Sequence, residues 1–251
     1  MGIAIVTGAS SGLGREYALA LKKLRPDIQE YWLIARRKER LEALGKALDL
    51  PYRALDMDLT QRESLERLDA LLAQEQPQVI CLVNNSGFGR LGDFIDMPLK
   101  DVGGMVRLNC QALTEVASAV LPYIPKGGVM INVCSIAAFV PNARMAVYCS
   151  TKAYVLSLSK ALRYELKGRG VNVLAVCPAP MDTEFLEVAG ITGHSKTFDR
   201  LPRVNPRQVA EKSIAAAFKG RAVYTNRLFY KFYRVLAKLL PSSWLMPLAK
   251  C

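Results

Sequence analysis

Ile3-Ala4-Ile5-Val6-Thr7-Gly8-Ala9-Ser10-Ser11-Gly12-Leu13-Gly14 runs from a short apolar stretch through a glycine-rich turn into a helical pattern. Ile3–Val6 reads as a buried strand, and a helix is expected from about Gly12 to Leu24. Glycines permit a tight turn and let a ligand approach the backbone, whose free N–H groups and helix dipole favour anions. The spacing here is GxxxGxG and not GxGxxG. A purely structural turn would use the same residues. Placement between strand and helix, inside a βαβ unit, is what favours a pyrophosphate-binding loop.

The same alternation continues along the chain. Further strands are expected at Tyr31–Ile34, Tyr52–Leu55, Val79–Val83, Val129–Val133, Val171–Val176 and Ala222–Tyr224. Helices are expected over Arg37–Asp49, Leu65–Leu72, Val102–Leu121, Val147–Leu166 and Pro206–Phe218. Continuous apolar strands separated by helices imply a parallel sheet covered on both faces. With no internal repeat, low-complexity stretch or Pro/Gly linker, the reading is a single α/β domain with a doubly wound, Rossmann-like sheet of about seven strands. It covers residues 1–224, followed by a tail over 225–251.

Composition agrees with a packed domain. The 251 residues are 51% hydrophobic and 22% charged, which excludes a disordered chain, a collagen-like fibre and a small disulfide scaffold. Six cysteines form no CxxC pair, and the single His194 cannot complete a zinc site with them, so no metal is expected. Cys81, Cys134 and Cys177 fall in or at the end of apolar strands and suggest buried, reduced thiols. No signal peptide, myristoylation pattern or membrane-spanning run is apparent, so a cytoplasmic location is expected.

The end of strand two bears on which dinucleotide would bind. An acidic residue there would bond a ribose 2′-hydroxyl, but the strand ends Leu33-Ile34-Ala35-Arg36-Arg37. A guanidinium fork suits a 2′-phosphate, which favours NADP(H); alternatively both arginines are the solvated start of the next helix. Asp58 could accept from an adenine amino group or could cap the following helix.

Tyr148 and Lys152 stand at i and i+4 on one helical face. A phenol with a pKa near ~10 is a poor acid or base at neutral pH, and a neighbouring cation would lower it. Ser135 lies just past strand Val129–Val133, at the carboxyl end where open parallel sheets bind ligands.

Thr7–Gly14, Asn84-Asn85-Ser86-Gly87, Asn109, Ser135, Tyr148/Lys152 and Pro178…Thr183 occur in an order that resembles the short-chain dehydrogenase/reductase family, in its shorter single-domain branch. The resemblance covers roughly residues 1–185, more weakly to about 224. It implies that Tyr148 exchanges the proton with the substrate oxygen and that Ser135 orients that oxygen. Lys152 would hold the nicotinamide ribose and depress the Tyr148 pKa, and Asn109 would keep a relay water. Gly8, Ser10, Ser11, Gly12, Leu13 and Gly14 would surround the pyrophosphate. Asn85 and Gly87 would support the adenine ribose, and Pro178 and Thr183 would line the nicotinamide side. Two departures are the Ser86 in place of alanine and Pro178-Ala179-Pro180 in place of Pro-Gly. The second stiffens the nicotinamide-side loop. Assembly as a dimer or tetramer, through the helices around Val102–Leu121 and Val147–Leu166, is also implied.

Phe88, Phe139, Val140, Met145, Met181, Phe185 and Leu186 flank the expected site, and an apolar pocket would take a lipophilic carbonyl compound such as a steroid, bile acid, retinoid or fatty acyl chain. At least half of these should be ordinary core residues. Residues 182–205, which include His194, read as a substrate lid.

The formal net charge of +12 is unevenly spread. Residues 200–251 hold eleven Lys+Arg and one acid, so ten of the charges lie there. Asn226–Leu240 reads as a helix capped by Thr225 or Asn226 and stopped by Pro241. Arg227, Lys231, Arg234 and Lys238 form a basic stripe, with Leu228, Phe229, Phe232, Leu236, Leu239 and Leu240 on the opposite face. Such a helix suits an anionic membrane surface, or it packs on protein with its charges solvated. Aromatics set apart from the basic stripe argue against nucleic acid. The expected function is NADPH-dependent reduction of a lipophilic ketone. A 3-oxoacyl thioester reductase or a non-catalytic NADP(H)-sensing scaffold at a membrane are the alternatives.

Overall fold

A computed structural model describes residues 2–191 and 201–249. Strand β1 (Gly2–Thr7) sends Ala4 and Val6 to one face of the sheet and Ile3 and Ile5 to the other, as a two-residue pleat requires. β2 (Glu30–Ala35) does the same, with Tyr31 and Leu33 on one side and Trp32 and Ile34 on the other. That two-sided burial is why these strands read as unbroken apolar runs.

β3 (Tyr52–Asp56), β4 (Gln78–Asn84), β5 (Val129–Val133), β6 (Asn172–Val176) and β7 (Val223–Tyr224) complete a seven-stranded parallel sheet in the order β3-β2-β1-β4-β5-β6-β7. The expected fold class is what the chain adopts. Helices α1 (Gly12–Leu24), α2 (Lys38–Leu48) and α8 (Pro206–Phe218) cover one face. The other carries α3 (Arg62–Glu75), α4 (Leu99–Val106), α5 (Leu113–Val120) and α6 (Ala146–Glu165). The order reverses between β1 and β4, so a crevice opens at their carboxyl ends, where Thr7 and Asn84 meet.

Where one helix was expected over Val102–Leu121, α4 and α5 are joined by a wider π-helical turn at Arg107–Ala112. Asn109 lies in that turn and is fully buried. Such turns interrupt helices where a side chain must be redirected, often at functional sites.

The tail helix α9 begins at Leu228 and ends at Leu239, with Pro241 just beyond. The expected Thr225 or Asn226 cap does not form. Arg227 occupies the cap position with φ of 57°, while Asn226 turns inward and its Oδ1 accepts from the Ala179 N–H at 3.1 Å. α10 (Ser242–Leu245) follows directly.

Candidate active site

Three contacts shape the glycine loop. Gly8 and Gly12 have φ of +66° and +51°, a region that side chains with a Cβ rarely adopt. A Cβ on Gly14 would lie 2.2 Å from the Gly8 carbonyl oxygen, so helix and turn meet without room for a methyl group. Buried Thr7 Oγ1 accepts from the Asn85 and Ser86 N–H groups, both at 2.9 Å, and Asn85 Nδ2 donates back to the Thr7 carbonyl at 3.1 Å. The ends of β1 and β4 are thereby locked together.

A continuous cavity of about 940 Å³ runs from this loop to Ser135, Tyr148 and Lys152. Of the predicted cofactor-side residues only Gly14 does not face it, because Gly14 packs beneath the loop. Arg36 and Arg37 differ in their engagement. The Arg37 guanidinium donates to Ser10 Oγ at 3.1 Å, to Ser11 Oγ at 2.9 Å and to Glu184 Oε2 at 2.9 Å. Arg36 is exposed beside the cavity and has no hydrogen bond or ion pair among the described residues. Asp58 is not a helix cap. Its Oδ1 accepts from the Thr60 N–H and hydroxyl, and α3 starts further on, after Gln61. A cradle with no room for a Cβ at Gly8 or Gly14, bordered by an unpaired guanidinium, fits a phosphate-bearing dinucleotide.

At the other end, Ser135 caps a short turn after β5, where its Oγ accepts from the Ala137 N–H at 3.1 Å, and it lines the cavity together with Tyr148. Burial pushes the Tyr148 phenol up, against the opposing pull of Ser135. The Lys152 ammonium sits 5.7 Å from the Tyr148 ring centroid and donates to the Val133 carbonyl at 3.0 Å. Burial holds the Lys152 pKa below its usual value. The net direction for the phenol is therefore upward and is set by desolvation.

Asn109 clamps the turn after β4. Its Nδ2 donates to the Phe88 carbonyl at 2.8 Å and its Oδ1 accepts from the Phe88 N–H at 3.0 Å. It does not face the cavity directly. A Cβ on Gly87 would lie 2.9 Å from Asn109 Oδ1 and 3.5 Å from Lys152 Nζ, so the bare glycine is the thin wall between them. Pro178 accepts from the Ile136 N–H through its carbonyl, and Thr183 packs on Gly12.

Phe88, Val140, Met145, Met181, Phe185 and Leu186 line the cavity as expected. Phe139 does not; its ring packs on Tyr233 of the tail, with centroids 6.3 Å apart. Part of the expected lid is helix α7 (Glu184–Val188), whereas His194 lies outside the described residues.

Sequence reasoning missed two contributors. Glu184 pairs with both Arg40 and Arg37, which hold its carboxyl at about 2. The tail supplies Phe229, Tyr230, Phe232, Tyr233, Leu236 and Leu245 to the cavity wall. The amphipathic spacing of the tail was a legible signal for the second, whereas a lone glutamate 147 residues from its arginine gave none.

The model for the short chain dehydrogenase family matches residues 2–192. The chain belongs to the short-chain dehydrogenase/reductase family. This oxidoreductase is 35% identical over 212 residues to a serine 3-dehydrogenase of Rhizobium radiobacter, covering 82% of each chain. A short-chain dehydrogenase of Sphingobium yanoikuyae solved with NADPH superimposes with a TM-score of 0.82 at 30% identity, covering 95% of this chain and 93% of the other. The bulky-bulky ketone specific alcohol dehydrogenase of Comamonas testosteroni gives 0.78 at 27%, covering 95% and 92%.

Proposed function

We propose that this short-chain dehydrogenase/reductase is an NADP(H)-dependent carbonyl reductase, reversible as an alcohol dehydrogenase, acting on a lipophilic ketone or secondary alcohol. A steroid-, bile-acid- or retinoid-sized substrate suits the cavity. The observation that carries the reading is one cavity joining an unpaired Arg36 and the glycine cradle to Ser135, Tyr148 and Lys152 among apolar side chains. The NADPH of the Sphingobium enzyme and the ketones named for the Comamonas enzyme support it.

When bound, the nicotinamide supplies the hydride. Ser135 Oγ orients the carbonyl oxygen. Tyr148 Oη, held protonated by burial, donates the proton to that oxygen as charge develops on it. Lys152 holds the ribose hydroxyls, and its cation stabilises the phenolate left after donation. Asn109 fixes the Phe88 backbone, keeps the Gly87 wall in place and positions the relay that returns the proton. Arg36 would hold the 2′-phosphate, and Asp58 and Thr60 would border the adenine.

Cytoplasmic placement is supported by Cys81, Cys134, Cys149 and Cys177, which are buried and not joined in disulfides. Among the described residues, no helix is long and apolar enough to cross a membrane. We read the exposed part of the tail as a peripheral membrane contact. Homo-oligomerisation would use the outer surfaces of α4–α5 and α6, where Val106, Tyr154 and Tyr164 are exposed.

The test is turnover of ketosteroids, long-chain 3-oxoacyl thioesters and small ketones with NADPH and with NADH. Reduction should require NADPH, and Tyr148→Phe should lose about 10²–10⁴-fold in kcat with NADPH affinity unchanged. An equal loss of NADPH binding would remove the role given to Tyr148. Tight NADPH binding without turnover of any ketone would favour the sensor.

A further inference from the structure

The tail helix is split lengthwise by its environment. Tyr230 is buried and its hydroxyl donates to the Pro202 carbonyl at 3.1 Å, while Tyr233 and Leu236 face the cavity. Leu228, Val235 and Leu239, at the spacing i, i+7 and i+11 with Phe232 at i+4 between them, are 81%, 50%, 74% and, for Phe232, 62% exposed. Trp244 on α10 adds a further exposed ring. Arg227, Lys231, Arg234 and Lys238 repeat the same spacing one residue earlier, which sets the basic stripe about 100° from the exposed apolar one. The apolar and basic stripes therefore run side by side, and they do not occupy opposite faces.

Phe229 and Phe232 belong to both worlds. Each lines the cavity that holds Tyr148 and Ser135, and each is largely exposed. The cavity thus reaches the surface within the exposed apolar strip of the tail.

Resting on the carbonyl-reductase reading, we infer that this mouth opens onto an anionic lipid bilayer, so that a lipophilic substrate passes between Phe229 and Phe232 without crossing water. Charge selects the occupant. Residues 225–251 contain five Lys+Arg and no acid, so an isologous contact with a second copy would set like charge against like. An anionic leaflet satisfies the basic stripe at headgroup level while Leu228, Val235, Leu239 and Trp244 enter the acyl boundary. The depth is that of an interfacial helix, in keeping with the absence of a spanning helix among the described residues.

The test uses full-length protein with phosphatidylcholine vesicles, with and without phosphatidylserine. A variant carrying Leu228→Ser, Val235→Ser, Leu239→Ser and Trp244→Ser alters exposed side chains that do not line the cavity. Wild-type protein should bind phosphatidylserine vesicles at least about tenfold more tightly than neutral ones, and high salt should abolish the difference. The variant should lose vesicle binding and keep its rate on a small water-soluble ketone. Its rate on a steroid ketone dissolved in vesicles should fall about tenfold or more.

Absence of vesicle binding by the wild type would overturn the inference. So would a dimer that the variant dissolves, or equal rates of both proteins on the vesicle-borne ketone. No turnover of the soluble ketone with NADPH would instead strike the carbonyl-reductase reading, and flotation would still report on the membrane contact.

Discussion

The glycine loop and the tail helix border the same cavity from opposite ends and are held in different ways. The loop is fixed by backbone: positive φ at Gly8 and Gly12, a Gly14 contact that no Cβ could make, and Thr7 Oγ1 accepting two main-chain N–H groups. The tail is held by side chains: Tyr230 on the Pro202 carbonyl, Phe139 against Tyr233, and Leu245 inserted into the wall. Its junction is tied by Asn226 accepting from Ala179. The difference follows from the ligands. A phosphate-bearing dinucleotide presents one fixed shape, which backbone can match once. A substrate wall made of side chains can change by substitution without disturbing the sheet.

That contrast predicts graded outcomes. Gly14→Ala should have the largest effect. Its methyl group would overlap the Gly8 carbonyl, so we expect about 1–3 kcal/mol of lost stability together with lost NADPH binding. Thermal unfolding and cofactor titration would measure both. A variant that binds NADPH normally would break the distinction between the two ends.

Arg36→Ala comes next. Losing a charge-assisted bond worth about 1.5–3 kcal/mol should weaken NADPH by about tenfold to a hundredfold and leave NADH unchanged. If Arg37→Ala alone produced that selectivity, the phosphate would belong to the arginine already engaged with Ser10, Ser11 and Glu184.

Glu184→Gln should have the smallest effect. The pair with Arg40 and Arg37 is partly exposed, so its removal at neutral pH should cost about 1 kcal/mol or less. Because the folded-state pKa is depressed from 4.5 to about 2, the contribution is complete above pH 4.5 and fades as pH falls towards 2. Denaturation midpoints of wild type and variant should therefore converge on acidification. A gap that widened instead would reverse the sign assigned to the ion pair.

Legibility in the sequence followed the range of each interaction. β1, β2 and β4 to β6 were readable because two-sided burial writes itself as continuous apolar residues. Ser135, Tyr148 and Lys152 were readable from family order, and the chain brings all three to the cavity. The π-helical turn at Asn109 was not, since six residues of widened helix carry no distinct composition. The two readings of Asp58, adenine contact or helix cap, could not be separated from sequence because an Asx turn and an N-cap use the same oxygen. Glu184 was invisible because its partners Arg37 and Arg40, at the start of α2, are 147 and 144 residues away in the chain.

Sequence alone determined the sheet, the glycine turn, the grouping of Ser135, Tyr148 and Lys152 at the carboxyl end of the sheet, and the concentration of positive charge in the last 52 residues. Those features rest on local periodicity and on residue types that chemistry cannot exchange. Tertiary structure decided which arginine stays free, that burial governs the Tyr148 phenol, and which half of the tail's apolar face is covered. Each depends on desolvation or contact between segments distant in the chain. A helical period shows which residues are apolar; packing against the domain determines which of them remain exposed.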